Sequence, residues 1–467
     1  MSSDPLALSV QRPEMSASRT LWPRQKLALA AILVAVPLLL LAWPLPTLRG
    51  FVLVSTFFYV TFTVYKLALI YFSVKSDSEI TVSKTEIAAL HDEALPVYSV
   101  MIPLYHESES VAAIIDSLLQ LDYPREKLDI QLLLEEDDQE TRGAVARLQI
   151  PPEIRLTIVP VSQPRTKPKA CNVGLPYARG EYLVIYDAED LPERDQLKKA
   201  VIGFSRCNLN VVCLQSKLNF YNPRFNLFTR WFAAEYSAWF DLALPGLSAL
   251  RAVIPLGGTS NHFRTQALHT LLGWDAFNVA EDCDLGVRIC RAGCTTRMLD
   301  TTTWEEACGQ LRFWIAQRTR WLKGYMQTYL VHTRHPLKLA RDLGWRNLIH
   351  FHLLVGGMIA CFLLNPIYWV LACLWFLYRL EFLKVLFPGP IFLMGALCLF
   401  LGNFAFIYAG GLGCYRRKYF DLVKYALLMP PYWFLMSYAA WRAVWQLAVN
   451  PFHWEKTRHG LTGKSAP

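Results

Sequence analysis

The chain has 467 residues, of which 53% are hydrophobic and 18% are charged. The usual apolar set includes Gly but not Tyr, and on that set about 54% of the residues are apolar, against roughly 45–50% in soluble domains. This excess of apolar residues excludes a disordered chain. With 27 Pro and 24 Gly, the composition also excludes collagen-like and linker-like classes. The 47 Lys and Arg against 38 Asp and Glu give a net charge of +9. No nucleic-acid-binding motif accompanies that charge, which indicates a basic membrane face and an anionic substrate rather than nucleic acid.

Two apolar runs near the amino terminus predict a transmembrane hairpin. Residues 27–43 carry no charge, and residues 51–72 are interrupted only by Lys66. A membrane-spanning helix needs about 20 apolar residues, with about 17 as the lower limit, so both runs are long enough. Lys66 lies near the later end of its run, where a lysine can extend to the membrane interface, and we interpret it as an interfacial anchor.

The distribution of basic residues predicts the orientation of this hairpin. Arg12, Arg19, Arg24 and Lys26 precede the first run, whereas the short loop after it carries only Arg49. Positive charge favours the cytoplasmic side, so the amino terminus and the chain that follows the hairpin are expected in the cytoplasm. We therefore expect a multi-pass protein of the inner (plasma) membrane whose soluble domain is cytoplasmic.

Four further apolar runs follow a long charged region and bring the expected number of spans to six. If the six spans cross the membrane in alternating directions, the basic residues 416–418 lie on the side opposite to the cytoplasm. Positively charged loops usually lie on the cytoplasmic side, so this placement conflicts with the general trend. Either a late segment is re-entrant, with a break at the prolines 430–431, or the Asn-Pro pair at 365–366 joins two short segments differently. The four runs are residues 348–364, 367–378, 391–414 and 422–449.

Between the membrane segments, short apolar runs alternate with helical patterns. Residues 97–103, 128–134, 154–161 and 181–187 predict strands, and residues 109–121 predict a helix between the first two. Such alternation is typical of an α/β domain with a mostly parallel sheet and helices on its faces. In these sheets ligands bind beyond the carboxyl ends of the strands, so the residues that follow each strand are the candidates for a site.

Acidic residues follow three of these strands. Glu107 comes after the first, residues 135–138 after the second and residues 187–190 after the fourth. Each cluster alone fits a solvated helix N-cap, but three that converge on one sheet edge favour binding of a hard cation such as Mg²⁺ or Mn²⁺. Residues 165–172 bring cations to a helix amino terminus, which is an anion site. A metal beside an anion site indicates a nucleotide diphosphate as ligand.

The order of these motifs, flanked by membrane spans, resembles the family 2 membrane glycosyltransferases of the cellulose, chitin and hyaluronan synthase type. The resemblance covers about residues 97–330 and implies an α/β GT-A domain, Rossmann-like and cytosolic, inserted between transmembrane α-helices. The motifs that carry it are Pro103-Leu-Tyr-x-Glu107, Asp137, Lys169, Asp187-Ala-Glu189, Glu281-Asp282 and Gln317-Arg-Thr-Arg-Trp321.

The resemblance implies a donor site for a UDP-sugar. The first strand end and the acid after the next strand would hold the uracil and ribose, through Tyr105, Glu107 and Asp137. Asp138 is a one-residue alternative to Asp137. The implied nucleotide-sugar-binding residues are Pro103, Tyr105, Glu107, Asp137, Lys169, Asp187 and Arg320.

A metal site is implied beside the diphosphate. The family's Asp-x-Asp motif is replaced here by Asp187-Ala-Glu-Asp190. Glu is also a hard oxygen ligand, so binding of Mg²⁺ or Mn²⁺ is expected to persist. Asp187 would hold the metal together with Glu189 or Asp190, and the sequence leaves that choice open.

By the same resemblance, Asp282 is the catalytic base, with Glu281 beside it. The pair opens a predicted helix, so an acidic first turn on the helix dipole is the alternative interpretation. A base that takes the proton of an acceptor hydroxyl, without an enzyme nucleophile, implies direct displacement with inversion. Arg320 would lie near the diphosphate. The implied acceptor-binding residues are Trp321, Gln317, Gly258, Thr259 and His262, although a lone His is more often packed or part of a turn.

Together these features predict an inverting, metal-dependent membrane glycosyltransferase that elongates and secretes a β-linked exopolysaccharide. The Gln-x-x-Arg-Trp motif favours such a polymer synthase over the alternative, a single transfer to a membrane lipid carrier. A nucleotide-regulated transporter or channel would explain the spans, but not an acidic pair beside a metal cluster. The expected partners are a UDP-sugar, the growing glycan, the lipid bilayer and a regulatory or export protein.

These expectations divide the chain into six parts. The aromatic and basic tail, which includes Trp454, fits an interface anchor or, alternatively, a gate over the active site. The parts are a cytoplasmic segment (1–26), a transmembrane hairpin (27–74), the GT-A domain (75–310), amphipathic interface helices with the Gln-x-x-Arg-Trp motif (311–345), about four transmembrane helices (346–449) and the tail (450–467).

Overall fold

A computed structural model of the chain describes residues 4–453, so Trp454 and the rest of the predicted tail lie outside the described residues. Within that range, nine strands belong to one sheet. The strands are β1 (Glu79–Ile80), β2 (Tyr98–Leu104), β3 (Leu128–Glu135), β4 (Ile154–Val159), β5 (Tyr182–Ile185), β6 (Leu191–Pro192), β7 (Val211–Phe220), β8 (Asn261–Arg264) and β9 (Thr295–Glu305).

Helices surround this sheet and extend beyond it on one side. They are α1 (Ala7–Gln11), α2 (Pro23–Ala42), α3 (Pro44–Lys75), α4 (Lys84–Ala88), α5 (Val111–Leu119), α6 (Gln139–Ala146), α7 (Lys167–Gly174), α8 (Gln196–Ser205), α9 (Leu227–Ala238), α10 (Leu244–Ala249), α11 (Thr265–Thr270), α12 (Glu281–Arg291), α13 (Leu311–His332), α14 (Pro336–Phe351), α15 (Gly357–Tyr378), α16 (Glu381–Leu386), α17 (Gly389–Leu397), α18 (Asn403–Arg416), α19 (Val423–Ala426) and α20 (Pro430–Val449).

The sheet is mixed but mostly parallel, which confirms the predicted α/β class. Its strand order is β1-β9-β7-β8-β5-β2-β3-β4, and β6 pairs with β9. Strands β5, β2, β3 and β4 are parallel to one another, and β8 runs antiparallel to β5 and β7. The four predicted strands correspond to β2 to β5. Because those strands are parallel, their carboxyl ends meet at one edge of the sheet.

Residues of β2 alternate between two hydrophobic cores. Val100 and Ile102 belong to the same core as Ile114 of α5, whereas Met101 belongs to the second core, which includes Phe232 of α9. Successive side chains of a strand point to opposite faces, so a strand that is buried nearly throughout lies in a sheet covered on both faces. The continuous apolar run at 97–103 therefore reflects a central strand.

Four helices among residues 4–453 are long and apolar enough to cross a membrane, compared with six predicted spans. The runs 348–364 and 367–378 lie in one helical stretch, because Pro366 is accommodated inside α15. The run 422–449 is divided between α19 and α20, and α20 is less apolar because it carries five Trp and Tyr residues and one Arg. The four helices are Pro23–Ala42, Pro44–Lys75, Pro336–Tyr378 and Gly389–Arg416.

The segment before the first of these helices packs on the soluble domain. Ser16 Oγ donates a hydrogen bond of 2.8 Å to Asp275 Oδ1. The guanidinium of Arg334 donates to the backbone oxygens of Pro13 at 3.1 Å and Ser16 at 2.8 Å. The amino-terminal segment is thus held against the domain that contains the sheet.

Candidate active site

A cavity of about 1420 Å³ lies between the carboxyl ends of the parallel strands and the apolar helices. Pro103 of β2 and Asp187 after β5 line its domain side, and Phe62 of α3 and Trp369 of α15 line the opposite side. Small-ligand pockets occupy roughly 300–1,000 Å³. The cavity therefore has room for a second substrate beside a nucleotide sugar.

Asp282 and Glu281 line this cavity from the first turn of α12. The backbone N–H of Cys283 donates to Asp282 Oδ1 at 2.7 Å. Oδ2 faces Gly258, where a Cβ would lie 3.4 Å from it. Burial raises the pKa of both carboxyl groups, and the charge of Asp282 raises the pKa of Glu281 further. A carboxylate with a raised pKa is a better proton acceptor near neutral pH.

Arg320 of α13 lies among the acidic residues. Helix α13 approaches the start of α12 closely at Gly324, where a Cβ would lie 2.4 Å from the backbone nitrogen of Ala280. Burial lowers the pKa of Arg320, and the charges of four surrounding carboxylates act in the opposite direction. Arg320 is thus placed to offset carboxylate charge and to hold a diphosphate. The four carboxylates are those of Glu281, Asp187, Asp282 and Glu189.

The cation that reaches the cavity from α7 is Lys167, contrary to the prediction of Lys169. Lys167 Nζ forms an ion pair with Asp187 and donates to the backbone oxygen of Gly258 at 2.7 Å. Lys169 is 1% exposed, does not line the cavity and pairs with Glu135 at 3.1 Å. Successive positions of a helix are rotated by about 100°, so residues two apart face different directions.

We expect Lys169→Met to affect stability rather than donor binding. Removal of one partner of a buried ion pair costs about 3–5 kcal/mol, because the other charge is left without compensation. Thermal unfolding in detergent should show a lower midpoint for this variant. The double variant Lys169→Met/Glu135→Leu is the control, and its midpoint should return toward that of the wild type. An unchanged midpoint together with a raised KM for the donor would contradict the structural role.

Asp187 and Glu189 line the cavity, whereas Asp190 does not. Asp190 is 1% exposed and accepts a hydrogen bond of 2.8 Å from the backbone N–H of Asp187. It is also hydrogen-bonded to the hydroxyl of Thr259. Asp190 therefore holds the loop after β5 in place, and Glu189 is the second candidate metal ligand.

A divalent ion fits these residues if the substrate supplies the remaining ligands. Among residues 4–453, no group of three or more His, Cys, Asp and Glu side chains is arranged to hold a metal ion. Mg²⁺ is usually bound by one or two carboxylates together with water and substrate phosphates. Asp187 and Glu189 are two hard oxygen ligands on one wall of the cavity, which matches that arrangement.

Tyr105 lies at the mouth of the cavity with Arg165. Arg165 donates to the Tyr105 hydroxyl at 3.0 Å and pairs with Asp137 at 2.7 Å. Asp138 is buried and caps α6, because it accepts a hydrogen bond of 3.1 Å from a backbone N–H of that helix. Asp137 is thus the acid linked to the cavity mouth, and Asp138 is structural. The predicted donor residues Pro103, Tyr105 and Glu107 line the cavity.

Trp321 and Gln317 line the cavity from the same face of α13 as Arg320. The Trp321 ring lies 6.3 Å from the ring of Tyr236, and the guanidinium of Arg318 lies 4.7 Å from its centroid. Gln317 Oε1 is buried without a hydrogen-bond partner in the part of the chain that the structure describes. This face presents an aromatic ring and a polar group, as an acceptor sugar requires. Gly258 and Thr259 also line the cavity.

His262 does not line the cavity, contrary to its predicted role in acceptor binding. It lies in β8 with 0% exposure, and its Nδ1 is 2.7 Å from the hydroxyl of Tyr98. Burial lowers the pKa of His262 to about 3, so the imidazole is neutral. Neighbouring residues of a strand face opposite sides of the sheet, and His262 faces the packed side.

Two acidic residues of the cavity were not predicted from the sequence. They are Glu305 at the end of β9 and Glu235 of α9, which both line the cavity. Phe452 and His453, at the start of the tail for which the sequence suggested an anchor or a gate over the active site, also line it. Glu305 lies at the end of a strand, where ligands of such sheets bind. Burial and the charges of the acids after β5 raise the pKa of Glu305. The signal for Glu305 was therefore present in the sequence, because β9 ends there.

Comparison with known proteins defines the class of this site. Residues 96–324 match the family described as Glycosyltransferase like family 2. Over these residues the chain is therefore similar to glycosyltransferase domains of family 2. The matched range contains β2 to β9 and most of α13, and with them Asp187, Asp282 and Arg320.

The chain spans about half the length of the curated relatives that it matches. It is 26% identical over 250 residues to "Probable glycosyltransferase YdaM" of Bacillus subtilis, covering 53% of this chain and 59% of that protein. It is 27% identical over 256 residues to a beta-monoglucosyldiacylglycerol synthase of Trichormus variabilis, covering 51% of this chain and 50% of that protein. It is 29% identical over 242 residues to glucomannan 4-beta-mannosyltransferase 2 of Arabidopsis thaliana, covering 49% and 44%.

A solved structure supports the predicted fold. The mannosyltransferase PcManGT from Pyrobaculum calidifontis, crystallised with GDP-Man and Mn²⁺, aligns with a TM-score of 0.51 and 20% sequence identity. The alignment covers 84% of this chain and 98% of that chain. The similarity confirms a GT-A-like sheet flanked by apolar helices.

Proposed function

We propose that the protein transfers a sugar from a UDP-sugar, with inversion, to a hydroxyl group of a lipid acceptor in the membrane. The observation that carries this proposal is the continuity of one cavity. It extends from Asp187, Arg320 and Asp282 to aromatic and aliphatic side chains of the candidate spans, such as Trp369 and Phe392. An acceptor can therefore lie with its chain among the helices and its hydroxyl at Asp282.

The residues of the chain have separate roles in the proposed reaction. Asp282 accepts the proton of the acceptor hydroxyl while that oxygen forms a bond to the anomeric carbon of the sugar. The bond from that carbon to the UDP oxygen breaks on the opposite side, so the configuration inverts. Arg320 and Lys167 stabilise the charge that develops on the departing diphosphate. A divalent ion held by Asp187 and Glu189 would add positive charge at the same phosphates.

The choice of a lipid acceptor rests on the walls of the cavity. Sugars expose hydroxyl groups that require hydrogen-bond partners, and apolar side chains supply none. Apolar side chains, among them Phe, Leu and Met, make up most of the lining in the membrane part of the cavity. The relatives include an enzyme named for diacylglycerol and another named for glucomannan, so they support either kind of acceptor.

Elongation of an exopolysaccharide is the second candidate function. It is favoured by Trp321, whose ring lines the same cavity as Asp282, and by the Gln-x-x-Arg-Trp motif. In that case the apolar helices would adjoin a glycan rather than a lipid. The size and solubility of the product distinguish the two candidates.

A screen of radiolabelled sugar nucleotides with the purified protein in lipid vesicles tests the proposal. We expect UDP release with one UDP-sugar and label in the organic phase after solvent extraction. A water-soluble ladder of long products would instead support the polymer synthase. Absence of UDP release with every sugar nucleotide would contradict both functions.

We expect chelation by EDTA to remove transfer, and added Mn²⁺ or Mg²⁺ to restore it. Glu189→Gln should raise the metal concentration for half-maximal activity about tenfold or more, because one hard oxygen ligand is weakened. The matched variant Glu136→Gln changes an acid outside the cavity lining and should leave the metal titration unchanged. Full activity of the wild type in excess EDTA would contradict metal dependence.

A further inference from the structure

Lys66 places a positive charge inside the apolar part of the cavity. It belongs to α3, one of the helices long enough to span a membrane, and it lines the cavity. Its ammonium lies 5.4 Å from the ring centroids of Phe62 and Trp239. The sequence led us to expect an anchor that extends to the membrane interface, whereas the structure directs Lys66 toward the interior between helices.

No acidic side chain in the described part of the chain pairs with Lys66. Among residues 4–453, Lys66 makes no ion pair and no hydrogen bond. Glu235, whose charge acts on Lys66, is already bonded to Arg318 at 2.9 Å and to the hydroxyl of Tyr432. Charged residues in membrane segments are costly, and they commonly mark ligand sites.

A second lysine of the cavity shows the contrast. Lys384 also lines the wall, but it pairs with Glu381 at 2.6 Å and its side chain is largely exposed. Lys66 is thus distinguished by its enclosure and by its lack of an acidic partner. Its two aromatic neighbours stabilise the cation without neutralising it.

Three features of the cavity together define one kind of ligand, if the proposed function is correct. Asp282 is suited to remove a proton from a hydroxyl group, Lys66 requires an anion, and the walls beyond favour a hydrocarbon chain. We infer that the acceptor is an amphiphile whose hydroxyl-bearing head is joined to its hydrocarbon chain through a phosphate, and that Lys66 binds this phosphate. A carboxylate does not fit as well, because in a lipid it usually ends the chain instead of linking it to a head.

The phosphate does not react in this arrangement. The hydroxyl oxygen forms the new bond to the anomeric carbon, its proton passes to Asp282, and UDP leaves. Lys66 acts in binding and positioning only. Both a glycerophospholipid with a free headgroup hydroxyl and a sugar carried on a polyprenyl diphosphate have the required chemistry, and the experiment separates them.

The test compares acceptors with and without phosphate, using the full-length protein in nanodiscs and the UDP-sugar found in the donor screen. The acceptors are phosphatidylglycerol, a polyprenyl diphosphate sugar, diacylglycerol and a long-chain alkyl glucoside. The variants are Lys66→Met, Lys66→Arg and the control Lys75→Met, which changes an exposed lysine of α3 outside the cavity lining. The KM for the acceptor, the kcat and the KM for the donor are measured for each.

We expect wild-type protein to favour one phosphate-bearing acceptor and Lys66→Met to raise the KM for it by about tenfold to hundredfold, as loss of a charged hydrogen bond does. Lys66→Arg should restore most of the affinity, and Lys75→Met should resemble the wild type. A KM that rises equally for the alkyl glucoside, or a wild type that prefers diacylglycerol, would overturn the role of Lys66 and leave lipid transfer intact. UDP release without any lipid product would overturn the proposed acceptor class itself.

Discussion

Replacement of Asp282 by Asn is expected to lower the transfer rate by about 10²–10⁴-fold, which is the usual contribution of a general base. Asn has nearly the same shape as Asp but cannot accept the proton. The hydrogen bond from the N–H of Cys283 to the retained side-chain oxygen can persist, so the start of α12 should keep its geometry. The measurement is the initial rate of product formation at saturating donor, together with the affinity for UDP.

Binding of UDP should remain close to that of the wild type, because Asp282 acts on the acceptor. A variant that retains a tenth of the wild-type turnover would contradict Asp282 as the base. Glu281→Gln is the companion variant, since Glu281 lies beside Asp282 and is raised in pKa partly by its charge. We expect the smaller loss for Glu281→Gln.

The pH dependence follows from the raised pKa of Asp282. Burial raises this pKa, so the carboxyl group becomes protonated at a higher pH than an ordinary aspartic acid. A protonated carboxyl group cannot act as the base, and transfer should therefore fall as the pH is lowered through the raised pKa. The profile of kcat/KM against pH reports this titration in the free enzyme.

Replacement of Arg320 by Gln is expected to lower the transfer rate by about 10²–10³-fold, as loss of a charge-stabilising donor does in other active sites. Arg320 lies among Glu281, Asp187, Asp282 and Glu189, and it opposes the accumulation of negative charge. Without it, the diphosphate meets uncompensated carboxylates. The KM for the donor should also rise, since the substrate brings further negative charge.

The same substitution should change the pH profile. Arg320 lowers the pKa values of Asp282 and Glu281, so its removal raises them and moves the acid limb to higher pH. Arg320→Lys keeps the charge but not the planar fork of donors, and an intermediate rate is expected. Arg312→Gln removes an exposed cation from the same helix and is the matched control. An unshifted acid limb in Arg320→Gln would show that Arg320 does not act on the base.

Much of the fold could be predicted from local patterns. Strands β2 to β5 are apolar runs bounded by polar residues, and the hydrophobic effect places such runs in a sheet core whatever their partners are. The acids after β2 and β5 could be located as a site because parallel strands bring their carboxyl ends together. Glu107 and Asp187 line the cavity for this reason, whereas Glu281 and Asp282 begin α12 and were located by the order of the motifs.

The direction in which individual side chains point could not be predicted from the sequence. Lys167 and Lys169 are both basic residues of one short segment, and the sequence does not reveal which face of α7 meets the cavity. Asp190 and Glu189 differ in the same way, because a turn after β5 directs one into the core and the other into the cavity. His262 is a further case, since its side of β8 is set by pairing with β5 and β7.

In the membrane segments, too, the sequence located the helices but not the direction of their side chains. Hydropathy located the hairpin, but Asn365 and Pro366 did not interrupt their helix, because a proline is tolerated in a long apolar helix when neighbouring groups satisfy the backbone. Lys66 was read as an interfacial anchor from its position along the helix. Only the packing of α3 beside Trp239 directs it into the cavity.

The sequence by itself thus determined the class of the domain, the strand ends that form the site and the presence of apolar helices around it, because burial periodicity and motif order are local properties of the chain. The tertiary structure decided which lysine reaches the cavity, which acids line it and how far the cavity extends between the helices. These are questions of rotation and of contact between distant segments, and they are settled by packing rather than by residue type.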